Sequence, residues 1–142
     1  MKLLGSLLRN ISVRERLKKQ GKTNFWDSMN HAIDGINYTS GHERNFKIEI
    51  VFAIFVIIAG VFFKVSKIEM VVLLLTVASV LSLELINTSI ERCVDLVTKD
   101  YQELAKIAKD VAAGAVLIMS IFSVFIGIII FLPKILLMLG VN

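Results

Sequence analysis

The chain has 142 residues, 56% of them hydrophobic and 20% charged, with one proline, one cysteine and a formal charge of +4; its mean hydropathy is +0.74. Soluble domains average about 45–50% apolar residues, so this content, collected in long blocks, indicates one integral membrane domain and excludes disorder, a fibre and a disulfide scaffold. Lone Cys93 can make no internal bridge and has no zinc spacing around it, and no RNA motif or zinc finger accompanies the basic residues, so nucleic acid is not an expected partner.

Residues 1–47 hold nine Lys/Arg against four Asp/Glu, a local charge of +5. Residues 1–23 read as a basic N-terminal extension. Leu3, Leu4, Leu7, Leu8 and Ile11 are interrupted by Gly5, Ser6, Arg9 and Asn10, which denies a secretory signal its apolar core and leaves the spacing of a short amphipathic helix. Gly21-Lys22-Thr23 looks like the end of a phosphate-binding loop, but that motif needs a glycine where Arg16 stands and a strand before it. From residue 24 the pattern strengthens. Phe25, Met29, Ala32, Ile33 and Ile36 share one helical face, and Trp26 suits the headgroup zone. Residues 24–38 are expected to form an amphipathic surface helix on the cytoplasmic leaflet. His31 and His42 lack ligand spacing.

Three uncharged blocks follow, at residues 50–63, 70–83 and 111–132. The last alone is long enough to cross a hydrocarbon core of about 30 Å. The first is extended by Phe46 and Val65, with Lys47 and Lys64 placed to snorkel at its ends. The second continues through Leu85, Ile86, Ile90, Val94 and Leu96, interrupted by polar residues on one side only. Three transmembrane helices are expected, at about 46–65, 70–97 and 108–132, within a membrane domain covering 24–142. The N-terminal segment and the loop after the second span carry thirteen Lys/Arg against three on the other side, which places the N-terminus and that loop in the cytoplasm of a multi-pass protein.

The second span carries the chemistry. At about 100° per residue, Glu84, Asn87, Glu91 and Asp95 fall within one arc of about 80°, away from Leu83, Leu85, Ile86 and Ile90. A carboxylate at membrane depth costs at least a few kcal/mol, so the stripe needs cations, a metal or an aqueous cleft, and three helices alone are not expected to enclose it. Glu84 lies about 21 Å along the helix from Met70, just inside the cytoplasmic interface, with Glu91 about 10 Å further into the headgroup layer. Glu43 enters the first span, and Lys109-Asp110 open the third, at the same level. Carboxylates from two helices with an asparagine make a hard-oxygen site suited to Mg2+, and a lysine beside them suits phosphate.

The run Glu84-Leu85-Ile86-Asn87-Thr88-Ser89-Ile90-Glu91, then Asp95, then Ala108-Lys109-Asp110-Val111-Ala112-Ala113-Gly114, resembles the prokaryotic diacylglycerol kinase family, which includes undecaprenol kinases. The resemblance covers roughly residues 24–134. Glu43-Arg44-Asn45-Phe46 and Phe131-Leu132-Pro133-Lys134 look most like its Gram-positive branch, whose preferred lipid is the polyprenol. The resemblance implies a bacterial cell-membrane enzyme, a homotrimeric bundle with sites shared between chains, that phosphorylates a membrane lipid alcohol with ATP and Mg2+. Undecaprenol is the expected substrate and diacylglycerol the alternative. It implies that Glu84 is the catalytic base, that Glu43 and Glu91 hold Mg2+, and that Asn87, Lys109 and Asp110 line the nucleotide phosphates with support from Asp95. Asp100, Tyr101 and Gln102 match a nucleotide-contacting segment that often reads Glu-Tyr-His. A competing reading is a small oligomeric cation channel or transporter subunit lined by Glu84, Asn87 and Glu91, although residues 70–83 offer no polar route onward.

Overall fold

The computed structural model describes residues 24–140, so the expected basic extension at 1–23 lies outside the described residues. The backbone divides into two units, one reaching to Tyr38 and the other starting at Thr39. The amphipathic period becomes helix α1, Phe25–His42. Asp27 in its first turn suits the positive helix end, and its Oδ2 accepts from the Asn24 backbone N–H at 3.2 Å. Phe25 and Trp26 meet edge to face at 5.7 Å. Phe25, Met29, Ile33 and Ile36 form an exposed apolar stripe. The helix runs four residues past the expected end at 38, because the single Gly41 costs only about 1 kcal/mol in a helix and no proline intervenes. It stops at Glu43, whose backbone is extended (φ −97°, ψ 121°).

The second unit contains α2 (Arg44–Phe62), α3 (Lys67–Val97) and α4 (Glu103–Met138). All three are long and apolar enough to cross a membrane, the expected all-α arrangement. Helix α3 is the central element, packed against α2 and α4. Phe46 and Ala53 of α2, Leu73 of α3, and Ala112 and Ile130 of α4 are the buried apolar residues. Gly60 faces α3, where a Cβ would stand 2.9 Å from the flexible Met70 methyl and 3.5 Å from Leu73 Cδ1. Lys47 reaches back along the chain, its Nζ donating to the Gly41 carbonyl at 2.9 Å.

The helix ends depart by a few residues from the expected span bounds: α2 covers 44–62 against 46–65, α3 67–97 against 70–97 and α4 103–138 against 108–132. The first span ends at Phe62 rather than 65, because Lys64 adopts a left-handed φ of 51°. The N–H of Val65 then bonds the Gly60 carbonyl at 3.0 Å and that of Lys64 the Val61 carbonyl at 3.1 Å, the Schellman pattern that satisfies terminal carbonyls. Lys64 thus belongs to the turn. The third span is longer than 108–132 at both ends. Residues 103–107 are good helix formers, and Pro133 interrupts the hydrogen-bond ladder without stopping the helix before Met138.

Helix α3 starts with a capping box. The Ser66 side chain accepts from Glu69 N at 3.3 Å, and Glu69 Oε2 accepts from Ser66 N at 2.6 Å. The other Glu69 oxygen accepts from Lys134 Nζ of α4 at 2.7 Å, which ties the two helices at this end. Lys134→Met is expected to lower the thermal midpoint in detergent by a few degrees. Glu69→Ala, which removes the cap as well as the bridge, is expected to lower it further. Equal midpoints for both variants and the parent, followed by circular dichroism, would count against the tie.

Candidate active site

The 31 residues of α3 span about 46 Å, so this helix extends well beyond a hydrocarbon layer of about 30 Å. Its C-terminal half presents the acidic stripe. Glu84 is 3% exposed and Asn87 7% exposed, with Thr88 buried beside them. Glu91 and Asp95 are half-buried. The expectation that three helices cannot enclose the stripe therefore fails for its first half, and only the second half remains open.

Charges from three helices converge there. Glu43 is the N-cap of α2, but its carboxylate makes no capping bond; instead its Oε1 accepts from Arg92 Nη2 of α3. Arg92 Nη1 lies 4.0 Å from Asp95 Oδ2, and Lys109 Nζ of α4 donates to Asp95 Oδ1 at 2.6 Å. One turn back, Asn87 Nδ2 donates to Glu91 Oε1 at 3.1 Å. Glu43 and Glu91 both act electrostatically on Glu84, so these three acids form one repelling group. Lys109 turns toward the stripe, whereas Asp110, about 100° further round α4, pairs outward with Lys106 at 2.6 Å.

The structure thus gathers Glu84, Glu43, Asn87, Glu91, Asp95 and Lys109 and leaves Asp110 beside them on an exposed face. Asp100, Tyr101 and Gln102 form the exposed link to α4. The Asp100 backbone N–H bonds Thr98 Oγ1 at 3.1 Å, and none of the ion pairs of the cluster includes this link among the described residues.

Two residues in the neighbourhood stand outside the sequence-derived set. Arg92 is paired with a partner 49 positions away, beyond any local spacing. Glu49 lies at the start of the apolar run of α2, near enough to feel the charge of Glu84. Its Oε2 is buried without a hydrogen-bond partner. Glu49 also lines a largely apolar cavity of about 520 Å3 walled by residues such as Phe52 and Val56 of α2, Leu73 and Val77 of α3, and Val124 and Phe131 of α4, with Thr76, Ser120 and Ser123 among its lining. An acid at the edge of an uncharged block, mirroring Glu84 at the edge of the next, is the one hint the chain offers for it.

The oxygen donors suit a hard divalent cation. Asn87 Oδ1 is buried with no partner and sits on the same face as the Glu91 carboxylate. No group of three acids, histidines or cysteines able to hold a metal gathers among the described residues, but Mg2+ commonly needs only one or two carboxylates, the rest of its shell coming from phosphates and water. Further along α3, Thr76 Oγ1 donates to the Val72 carbonyl at 2.8 Å and Ser79 Oγ to the Leu75 carbonyl at 2.8 Å.

The family model described as prokaryotic diacylglycerol kinase matches residues 30–131. A protein of Bacillus subtilis named undecaprenol kinase is 46% identical over 110 residues, which cover 78% of this chain and 89% of that protein. A diacylglycerol kinase of Synechocystis is 41% identical over 127 residues, covering 84% and 73%. A diacylglycerol kinase of Escherichia coli K12 is 30% identical over 104 residues, covering 73% and 85%.

Proposed function

The chain belongs to the prokaryotic diacylglycerol kinase family, a multi-pass membrane lipid kinase, and from that premise we propose that it phosphorylates undecaprenol at the cytoplasmic face of a bacterial membrane. The observation that carries the chemistry is buried Glu84, where the apolar part of α3 gives way to its polar half, within electrostatic range of Glu43 and Glu91. An oily alcohol can reach this level from the bilayer and a nucleotide from water. The similarity to the Bacillus undecaprenol kinase supports the polyprenol over diacylglycerol.

The hydroxyl oxygen of the lipid attacks the γ-phosphorus of ATP in line, the bond to the β-phosphate oxygen breaks, and ADP leaves. Glu84 accepts the hydroxyl proton and later returns it to water. Glu43 and Glu91 would hold Mg2+, which would offset the phosphate charge when bound with ATP. Lys109 places its ammonium where charge spreads over the transferred group, and Asp95 holds that lysine in place. Asp110 and the 100–102 link meet the nucleotide from the water side. Most of the rate enhancement is positioning and electrostatics, as phosphoryl transfer generally requires.

The apolar cavity beginning at Glu49 matches a hydrocarbon chain in character. The exposed stripe of α1 suits the cytoplasmic leaflet, with the N-terminus and the second loop on that side. The exposed half of the acidic stripe and the broad apolar surfaces of α2 and α4 suit a homotrimer in which a neighbouring chain completes each site.

The test is purified protein in mixed micelles with γ-labelled ATP and, separately, undecaprenol or diacylglycerol. Label is expected in both lipids, with undecaprenol strongly preferred. Preference for diacylglycerol reverses the substrate assignment, and label in neither removes the kinase reading.

A further inference from the structure

The two carboxylates assigned to the metal have different companions. Glu91 has a neutral one, the Asn87 amide. Glu43 has a full positive charge, the guanidinium of Arg92, in direct contact with Oε1. The same guanidinium approaches Asp95 at 4.0 Å, but Asp95 already has Lys109 at 2.6 Å on its other oxygen. Arg92 therefore pairs more closely with Glu43 than with Asp95. The pair joins the N-terminus of α2 to the C-terminal half of α3, and the Glu43 side chain is only 21% exposed, so water screens it poorly on that side.

A divalent cation bound at Glu43 would sit within a few ångströms of this guanidinium, and like charges at that separation repel by several-fold to a hundredfold in affinity. We infer that Arg92 is the resident counter-ion of Glu43 in the nucleotide-free enzyme and competes with the divalent cation for that carboxylate. The inference rests on the metal role proposed for Glu43. In the free enzyme Arg92 offsets part of the repulsion among Glu43, Glu84 and Glu91. It also weakens binding of a bare cation, so that metal is favoured when it arrives already neutralised by nucleotide phosphates. Arg92 is thus a positioning residue that sets the order of loading.

The test is a titration of the full-length, nucleotide-free protein in detergent with Mn2+, which shares the oxygen preference of Mg2+, free Mn2+ being read by electron paramagnetic resonance. Arg92→Gln is expected to bind Mn2+ about tenfold more tightly than the parent, and Arg92→Lys, which keeps the charge, to stay near the parent. Adding Glu43→Gln to Arg92→Gln is expected to erase the gain. Arg92→Ala provides a second neutral variant should the glutamine protein fail to assemble. Unchanged or weaker Mn2+ binding in the neutral variants, with binding still lost in Glu43→Gln, would overturn the competition and leave Arg92 a helix tie. Parent-like Mn2+ binding in Glu43→Gln would overturn the metal assignment and this inference with it.

Discussion

Glu84→Gln is expected to lower turnover by about a thousandfold, the middle of the range for loss of a general base, while the protein still assembles and binds ATP. Glutamine keeps the shape of the side chain, so the buried position at 3% exposure is not emptied. What disappears is the proton acceptor and one negative charge beside Glu43 and Glu91. A buried carboxylate without a cation of its own is costly, and Glu84 has no ion pair among those of the described residues. The neutral amide should therefore hold or raise the thermal midpoint, the trade of stability for activity expected at a site kept charged for function. Single-turnover phosphorylation, size-exclusion chromatography and a thermal melt separate the outcomes. Loss of activity with a falling midpoint would make Glu84 a structural residue. Activity within threefold of the parent would remove the base assignment.

Regular patterns make the architecture readable in the sequence. Uncharged blocks predict the spans because backbone groups in hydrocarbon must bond within a helix, and the steps of three and four residues from Glu84 to Asp95 place the stripe on one face. Helix ends were less accessible. Lys64 in a left-handed turn has no glycine to announce it, and α4 runs through Pro133, a residue that normally suggests a stop. The site was readable along α3 and much less so across helices. The contact of Arg92 with Glu43 depends on how α2 and α3 pack, and Glu49 joins Glu84 only through that same packing. Lys109 and Asp110, adjacent in the chain, were assigned together, but helical geometry allows only one of them to face Asp95. Pairwise packing, which no single helical period encodes, decides such questions.

Lys109→Met is expected to reduce kcat/KM for ATP by about a hundredfold to a thousandfold, the scale seen when one donor to developing charge is removed. The ammonium now held by Asp95 at 2.6 Å is the cation of α4 that turns toward the stripe, while Lys106 faces Asp110. Its removal also leaves Asp95 with Arg92 at 4.0 Å in place of the direct Lys109 contact, so the nucleotide site becomes more negative. Both effects oppose a polyphosphate. Asp95→Asn leaves the lysine in place but untethered and is expected to cost only about tenfold, mostly in KM. Lys109→Arg keeps the charge but replaces a compact ammonium with a planar fork, and should recover part of the loss. Initial rates over a range of ATP concentrations at fixed free Mg2+ distinguish these variants. A helix-end lysine that merely reaches for the interface would give parent-like kinetics in Lys109→Met, and Asp95→Asn would then have no catalytic effect to explain.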